Sequence, residues 1–292
     1  MNRLITIILA CLLATTVFAE DVNRKIDASR DGHINVSNIS GSVTVNGWTR
    51  NEVEVTGTLG RNVEELIFER DGDDILVKVK VPKDSGRGID SDLRISVPQN
   101  SSIDIGTVSA DIDVTTVTGE QSLHTVSGDV TTEFTGANLT AASVSGDVEV
   151  SGDSADGEIE ANTVSGDVTL FRVGGEVVGE SVSGDVIVDE GSFTRAALST
   201  VNGEIVFQGE LREDGRLSIE TVNGSVDVDF VGDVSARFEV DTFNGGIRNC
   251  FGPKAERASK YTPGWELEFT QGDGDGRVEI STMNGGVNIC KK

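Results

Sequence analysis

The chain has 292 residues carrying 49 acidic against 24 basic side chains, a formal net charge of −25 at pH 7. Such a surface repels polyanions, which argues against nucleic acid as a partner. The two histidines, His33 and His124, sit in no recognisable motif, so neither a histidine triad nor a zinc constellation can be assembled.

Residues 1–19 read as an export signal, with Arg3 as the positive start, an apolar stretch from Leu4 to Leu13, and Val17-Phe18-Ala19 as a small-residue cleavage site. The mature chain then begins at Glu20, and losing Arg3 takes its net charge to −26. Lipidation at Cys11 would leave a signal of only ten residues, too short for that alternative. No later apolar run is long enough to span a bilayer.

Residues 20–100 read as a β region that caps the repeats and runs into them. They hold a repeat-like start from Asn38 to Trp48, then strands in which Val77, Val79 and Val81 alternate with Lys78 and Lys80. Leu93, Ile95 and Val97 alternate with Arg94 and Ser96 in the same way.

From residue 101 to 292 one short string recurs. Thr125-Val126-Ser127-Gly128-Asp129-Val130 returns at Ser143, Thr163 and Ser181, and drifts to an Asn-Gly form at Thr200, Thr221, Thr242 and Thr282. From Gly128 to Gly245 the motif glycines lie 18, 20, 18, 19, 21 and 21 residues apart. A fixed period of this size means stacked repeats. The β-branched residues and the period-2 alternation point to strands, with two strand-and-turn units per coil. The expected fold is all-β: a flattened β-solenoid with coils of about 18–21 residues, since a propeller blade needs about 40.

An extended chain through the motif places Val126 and Val130 on one side, as core, with Gly128 between them as a bend. Thr125, Ser127 and Asp129 then face outward. Asn202, Asn223, Asn244 and Asn284 are placed to bond along the rod as a ladder. Asp111, Asp129, Asp147, Asp167, Asp185 and Glu204 would stack at one rung spacing, a column of like charge. Two readings stand for it: a solvated ribbon, or a metal site for calcium, the one cation this column would take and otherwise no cofactor.

The last two motifs are 40 residues apart, which fits one further, less regular coil around Trp265, Leu267 and Phe269. Cys250 and Cys290 each follow their motif asparagine by six residues. Stacked as neighbours, those motifs bring the two cysteines within disulfide range, a bridge that would clamp the last coil. Lys254, Arg257, Lys260, Tyr261 and Trp265 form the one gathering of basic and aromatic residues. It reads either as a loop packing on the final coil or as a spot for a protein or glycan partner.

The signal, the segment NISGSVTVNGWTRNEVEVTG, the strand DLRISVP, the tandem TVSGDV copies and the closing STMNGGVNI together resemble the bacterial putative-adhesin family, a domain-of-unknown-function group. The resemblance implies an envelope-associated or secreted β-solenoid and brings no catalytic pattern with it. The expected function is a non-enzymatic, exported binding or interaction module, in the periplasm or at the cell surface, whose long face contacts an envelope protein or glycan. Three alternatives remain. One is a periplasmic structural or envelope-stress component without an external ligand, and another is a calcium-dependent polysaccharide-active β-helix enzyme. The third, an ice- or crystal-binding face of Thr and Ser, is opposed by the interrupting Asp column.

Overall fold

The computed structural model describes residues 20–83, 86–153, 156–259 and 263–292, so residues 1–19, expected above to be an export signal, lie outside the described residues. The described residues hold 22 strands joined in one hydrogen-bonded sheet system. Among them no helix is long and apolar enough to cross a membrane.

The N-terminal strands are β1 (Glu20–Asp27), β2 (His33–Trp48), β3 (Glu52–Leu59), β4 (Glu65–Asp71), β5 (Asp74–Lys80), β6 (Ser91–Pro98) and β7 (Ser102–Thr115). Their order in space is not their order in sequence. The β2 strand forms a whole coil, with β7 parallel to it on one side and β5 and β6 parallel on the other. The outer edge is then closed by antiparallel partners, β4 on β5 and β3 on β6, with β1 beyond β3. Antiparallel covering of this kind keeps a parallel edge from recruiting another chain.

The regular coils follow as β8 (Gln121–His124), β9 (Val130–Phe134), β10 (Leu139–Ser143), β11 (Val148–Gly152), β12 (Asp156–Thr163), β13 (Val168–Ser183), β14 (Val186–Asn202), β15 (Ile205–Asn223) and β16 (Val226–Phe230). All pair in parallel, and equivalent motif positions are in register: Val148 lies beside Val130 and Val168, and Thr200 beside Ser181 and Thr221. Each coil is one strand, a corner at the motif, and a second strand. Inward Leu139, Ala141, Val148 and Val150 are buried and stack on their counterparts. Burying such a side chain contributes roughly 1.5–3 kcal/mol.

The corner overturns the expected facing of the motif. The first residue, Thr125 and its equivalents, is buried, whereas Val126, Val144, Val164, Val182, Val201 and Val222 are exposed. The strand ends at Thr or Ser, the next residues turn, and alternation restarts at Val130 or Val148. The Gly-Asp pair is a turn signal, and carrying strand alternation through it reversed the first half of the motif. The buried hydroxyl donates to the glycine carbonyl of the neighbouring coil: Ser143 to Gly128 at 3.0 Å, Thr163 to Gly146 at 2.9 Å and Ser181 to Gly166 at 2.9 Å. The glycine has its own reason. A Cβ on Gly166 would lie 2.2 Å from the Gly146 carbonyl oxygen, and one on Gly224 1.7 Å from that of Gly203.

The acidic column is built into the same joint. The backbone N–H of Asp147 donates to Asp129 Oδ1 at 2.9 Å, Asp167 to Asp147 at 2.9 Å and Asp185 to Asp167 at 2.8 Å. Asp129 donates to Asp111 in the same way, at 3.1 Å. Each carboxylate therefore satisfies a backbone donor at a corner, a charge-assisted bond that offsets part of the like-charge repulsion. Among the described residues no three His, Cys, Asp or Glu side chains are grouped to hold a metal ion. At the upper end, Glu204 sits among Asp227, Asp185 and Ser225. Burial, a carboxyl hydrogen bond with Asp227 and the neighbouring charges raise its pKa. Above it the asparagines form a side-chain ladder, Asn223 to Asn202 at 3.0 Å, Asn284 to Asn223 at 2.8 Å and Asn244 to Asn284 at 2.9 Å.

That ladder runs 202, 223, 284, 244 because the C-terminal coils are also permuted. The remaining strands are β17 (Ala236–Asn244), β18 (Ile247–Asn249), β19 (Glu256–Arg257), β20 (Trp265–Gln271), β21 (Gly276–Asn284) and β22 (Val287–Lys291). The β21 strand inserts between β15 and β17, in parallel with both, and β22 inserts between β16 and β18. Trp265, Leu267 and Phe269 do not build the further coil expected from the 40-residue gap. They lie on β20, which runs antiparallel along β17 as the end cap. Phe238 and Phe269 stack there with ring centroids 4.4 Å apart, above Phe230, Phe207 and Phe193. Cys250 and Cys290 are disulfide-bonded, Cα to Cα 4.9 Å, tying the outermost coil to the inserted one beneath it.

Three outcomes follow from this construction. Gly166→Ala forces backbone against backbone and should lower stability by about 2–3 kcal/mol in urea unfolding. Because the folded pKa of Glu204 is raised, its charge opposes folding at neutral pH, and Glu204→Gln should raise Tm at pH 7. That gain should vanish as pH falls below the ordinary carboxylate range, where the wild-type side chain is protonated in both states. Replacing both Cys250 and Cys290 by Ser opens a loop of 40 residues, and the loss should be about 3–4 kcal/mol.

Candidate binding face

The corner that buries Thr and seats Gly leaves one side chain per coil with no role in the core. Along the stack this position is Ile39, Val108, Val126, Val144, Val164, Val182, Val201, Val222, Met283 and Phe243. The coils are stitched at that residue, Ser145 N–H to Val126 carbonyl at 2.9 Å and Ser165 to Val144 at 3.0 Å. With strands about 4.8 Å apart, the apolar column runs roughly 43 Å. Exposure of its members from Val108 onward lies between 38% at Val222 and 54% at Met283. Neighbours in the column cover about half of each side chain and solvent meets the rest. Apolar side chains scattered singly are normal on a monomer's surface, whereas a contiguous run of them is a mark of an interaction site.

The carboxylates of Asp111, Asp129, Asp147, Asp167 and Asp185 run beside this column, three residues further along each coil. None of them has a basic partner in an ion pair among the described residues. The face is therefore an apolar ridge with a negative flank.

At the C-terminal end the ridge becomes a groove of about 570 Å³. Val201, Val222, Met283 and Phe243 supply its apolar surface, and Trp265 and Ala258 stand beside them. The Arg257 guanidinium lies 4.4 Å over the Trp265 ring and donates to the Pro263 carbonyl at 3.0 Å, which fixes the ring. Lys254 lines a second hollow that Trp265 also borders. Of the basic and aromatic group expected around this loop, the structure thus brings Arg257 onto the Trp265 ring and places Lys254 in the neighbouring hollow that the same Trp265 borders, while Lys260 and Tyr261 lie outside the described residues. Glu220, Asp241 and Glu266 complete the groove. Burial, and then the charges of Glu266, Glu239 and Glu268, raise the pKa of Asp241.

The valine column and these three carboxylates escaped sequence reasoning, although one signal pointed to the column. Its position accepts Val, Phe and Met, side chains of very different volume, which a closely packed interior would not tolerate.

The chain matches the Toastrack DUF4097 family over residues 21–181 and again over 175–290. No curated protein matches it. Among solved structures it is similar to a "putative adhesin" from Parabacteroides distasonis, at 13% identity and a TM-score of 0.45, with 94% of this chain and 98% of that one covered. It is also similar to a "putative adhesin" from Bacteroides fragilis, at 10% identity and a TM-score of 0.44, covering 94% and 97%. A "putative lipid binding protein" from Parabacteroides distasonis is similar at 14% identity and a TM-score of 0.42, covering 93% and 96%. With matches that together run from residue 21 to residue 290, the chain belongs to the Toastrack DUF4097 family.

Proposed function

We propose that the chain is a non-enzymatic, exported envelope protein that binds a partner macromolecule, an envelope protein or a glycan, along the apolar column at its corner. The observation that carries this reading is the column itself. An exposed valine at every coil does nothing for the core, yet Val108, Val126, Val144, Val164, Val182, Val201 and Val222 follow one another without interruption. Contiguous apolar surface of this extent, flanked by charge, is what interaction sites present. The apolar leader with its small-residue end supports export.

The test uses the column directly. A variant with Val126, Val144, Val164 and Val182 all changed to Ser alters exposed positions and should keep its Tm within a few degrees. It should recover less than a tenth of the envelope material that crosslinks to the wild type in intact cells. Equal recovery by the two proteins would sink the binding role. It would leave the chain a structural component of the envelope.

A further inference from the structure

The groove at the C-terminal end differs in kind from the ridge below it, because it combines a concave apolar surface with carboxylates that no basic side chain among the described residues pairs. In the antiparallel pairing of β17 with β20, Asp241 lies opposite Glu266 and Glu239 opposite Glu268. Across the parallel strands, Glu220 and Asp241 flank Ser281. Like charges directly opposite on neighbouring strands are destabilising. The nearby Arg277 pairs with Glu239 and Glu279 and leaves the others alone. Among the described residues, none of Glu220, Asp241 and Glu266 has a basic partner in an ion pair. Arg257 is turned to Trp265 and the Pro263 carbonyl.

These features select an occupant. A neutral apolar molecule would bury the carboxylates without relieving them, at a desolvation cost. A bare cation would leave Val222, Met283, Phe243 and Trp265 unused. The volume of about 570 Å³ falls within the size range of small-molecule pockets, roughly 300–1,000 Å³, so there is room in it for side chains of a bound segment. The groove is also continuous, through Val201, with the column below it, so an extended chain leaving the groove meets further apolar surface.

Resting on the reading of the column as a binding face, we propose that this groove binds a basic, apolar polypeptide segment. Its aliphatic or aromatic side chains lie against Val222, Met283, Phe243 and Trp265, and its lysines or arginines lie against Glu220, Asp241 and Glu266. Charge complementarity sets the sign of the partner, as it does at protein interfaces generally.

The chain has two tryptophans, so Trp48→Phe leaves Trp265 as the sole fluorescent reporter of the groove. A short peptide alternating Lys and Leu, titrated into the purified mature Trp48→Phe chain, should change Trp265 emission saturably. Peptides alternating Glu with Leu, or Lys with Ser, should bind at least tenfold more weakly. Asp241→Asn with Glu266→Gln should weaken the Lys/Leu peptide at least tenfold, as should Met283→Ser. The carboxamide pair removes repulsion, so circular dichroism and Tm should show it folded at least as stably as its parent. Undiminished binding by that pair would overturn the proposal, and so would equal binding of the Glu/Leu peptide or of a simple alkylammonium ion. The variant carrying serine at positions 126, 144, 164 and 182 leaves the groove intact and should bind the peptide normally. If it captures envelope material like wild type while the peptide still binds, the column reading falls and the groove stands. If the peptide fails and envelope capture still depends on the column, the reverse holds.

Discussion

The structure depends on how closely one backbone corner can sit on the next. From Gly128 onward the carbonyl oxygen of the neighbouring coil occupies the space a Cβ would need at the motif glycine, and the buried Thr or Ser hydroxyl donates to that same oxygen in every coil except that of Thr221, whose hydroxyl is buried without a partner. The contact is between backbones, so it admits no gradual adjustment by side chains. It fixes the register of coil on coil, and a slip by one residue would exchange core for surface along every strand. The columns of Val, Asp and Asn follow from that register, and the Asp and Asn columns reinforce it with their own coil-to-coil hydrogen bonds.

Much of this was legible in the string Thr-Val-Ser-Gly-Asp-Val. The period implied stacked all-β coils, and the asparagine positions implied the ladder seen from Asn202 to Asn244. The facing of Val126 was not legible from alternation, because alternation holds along a strand and the motif contains a turn. The place of Trp265 was hidden for another reason. Sequence order suggests that residues 265–271 stack between the coils of Asn244 and Asn284, whereas those two coils touch each other and the segment folds back antiparallel over the outside. Pairing of strands distant in sequence leaves no trace in local periodicity, and β2 at the other end escaped for the same reason.

The large negative charge has a division of labour. In the regular coils each aspartate accepts a backbone hydrogen bond from the next, so that charge is part of the joint. In the terminal coils the acids lie on strand faces, opposite one another, with no backbone donor engaged in the same way. The same residue type thus serves construction in the middle of the rod and, at its end, supplies the field that a cationic partner would meet.

The insertion of β21 and β22 beneath β17 and β18 has a consequence for how such a chain can be made and lengthened. Strands β21 and β22 are synthesised after the strands that lie on both sides of them, so until they arrive the stack has two unfinished parallel surfaces rather than one. Completion is therefore a closing event, sealed by Cys290 reaching back to Cys250. The N-terminal coil is enclosed in the same manner, with β2 held between β6 and β7. Both ends are fixed assemblies whose members are chosen by sequence-distant pairing. New coils can be gained or lost by duplication only in the run between them, where each coil asks nothing of its neighbours beyond another glycine corner. Length in this architecture is set by the middle, and identity by the ends.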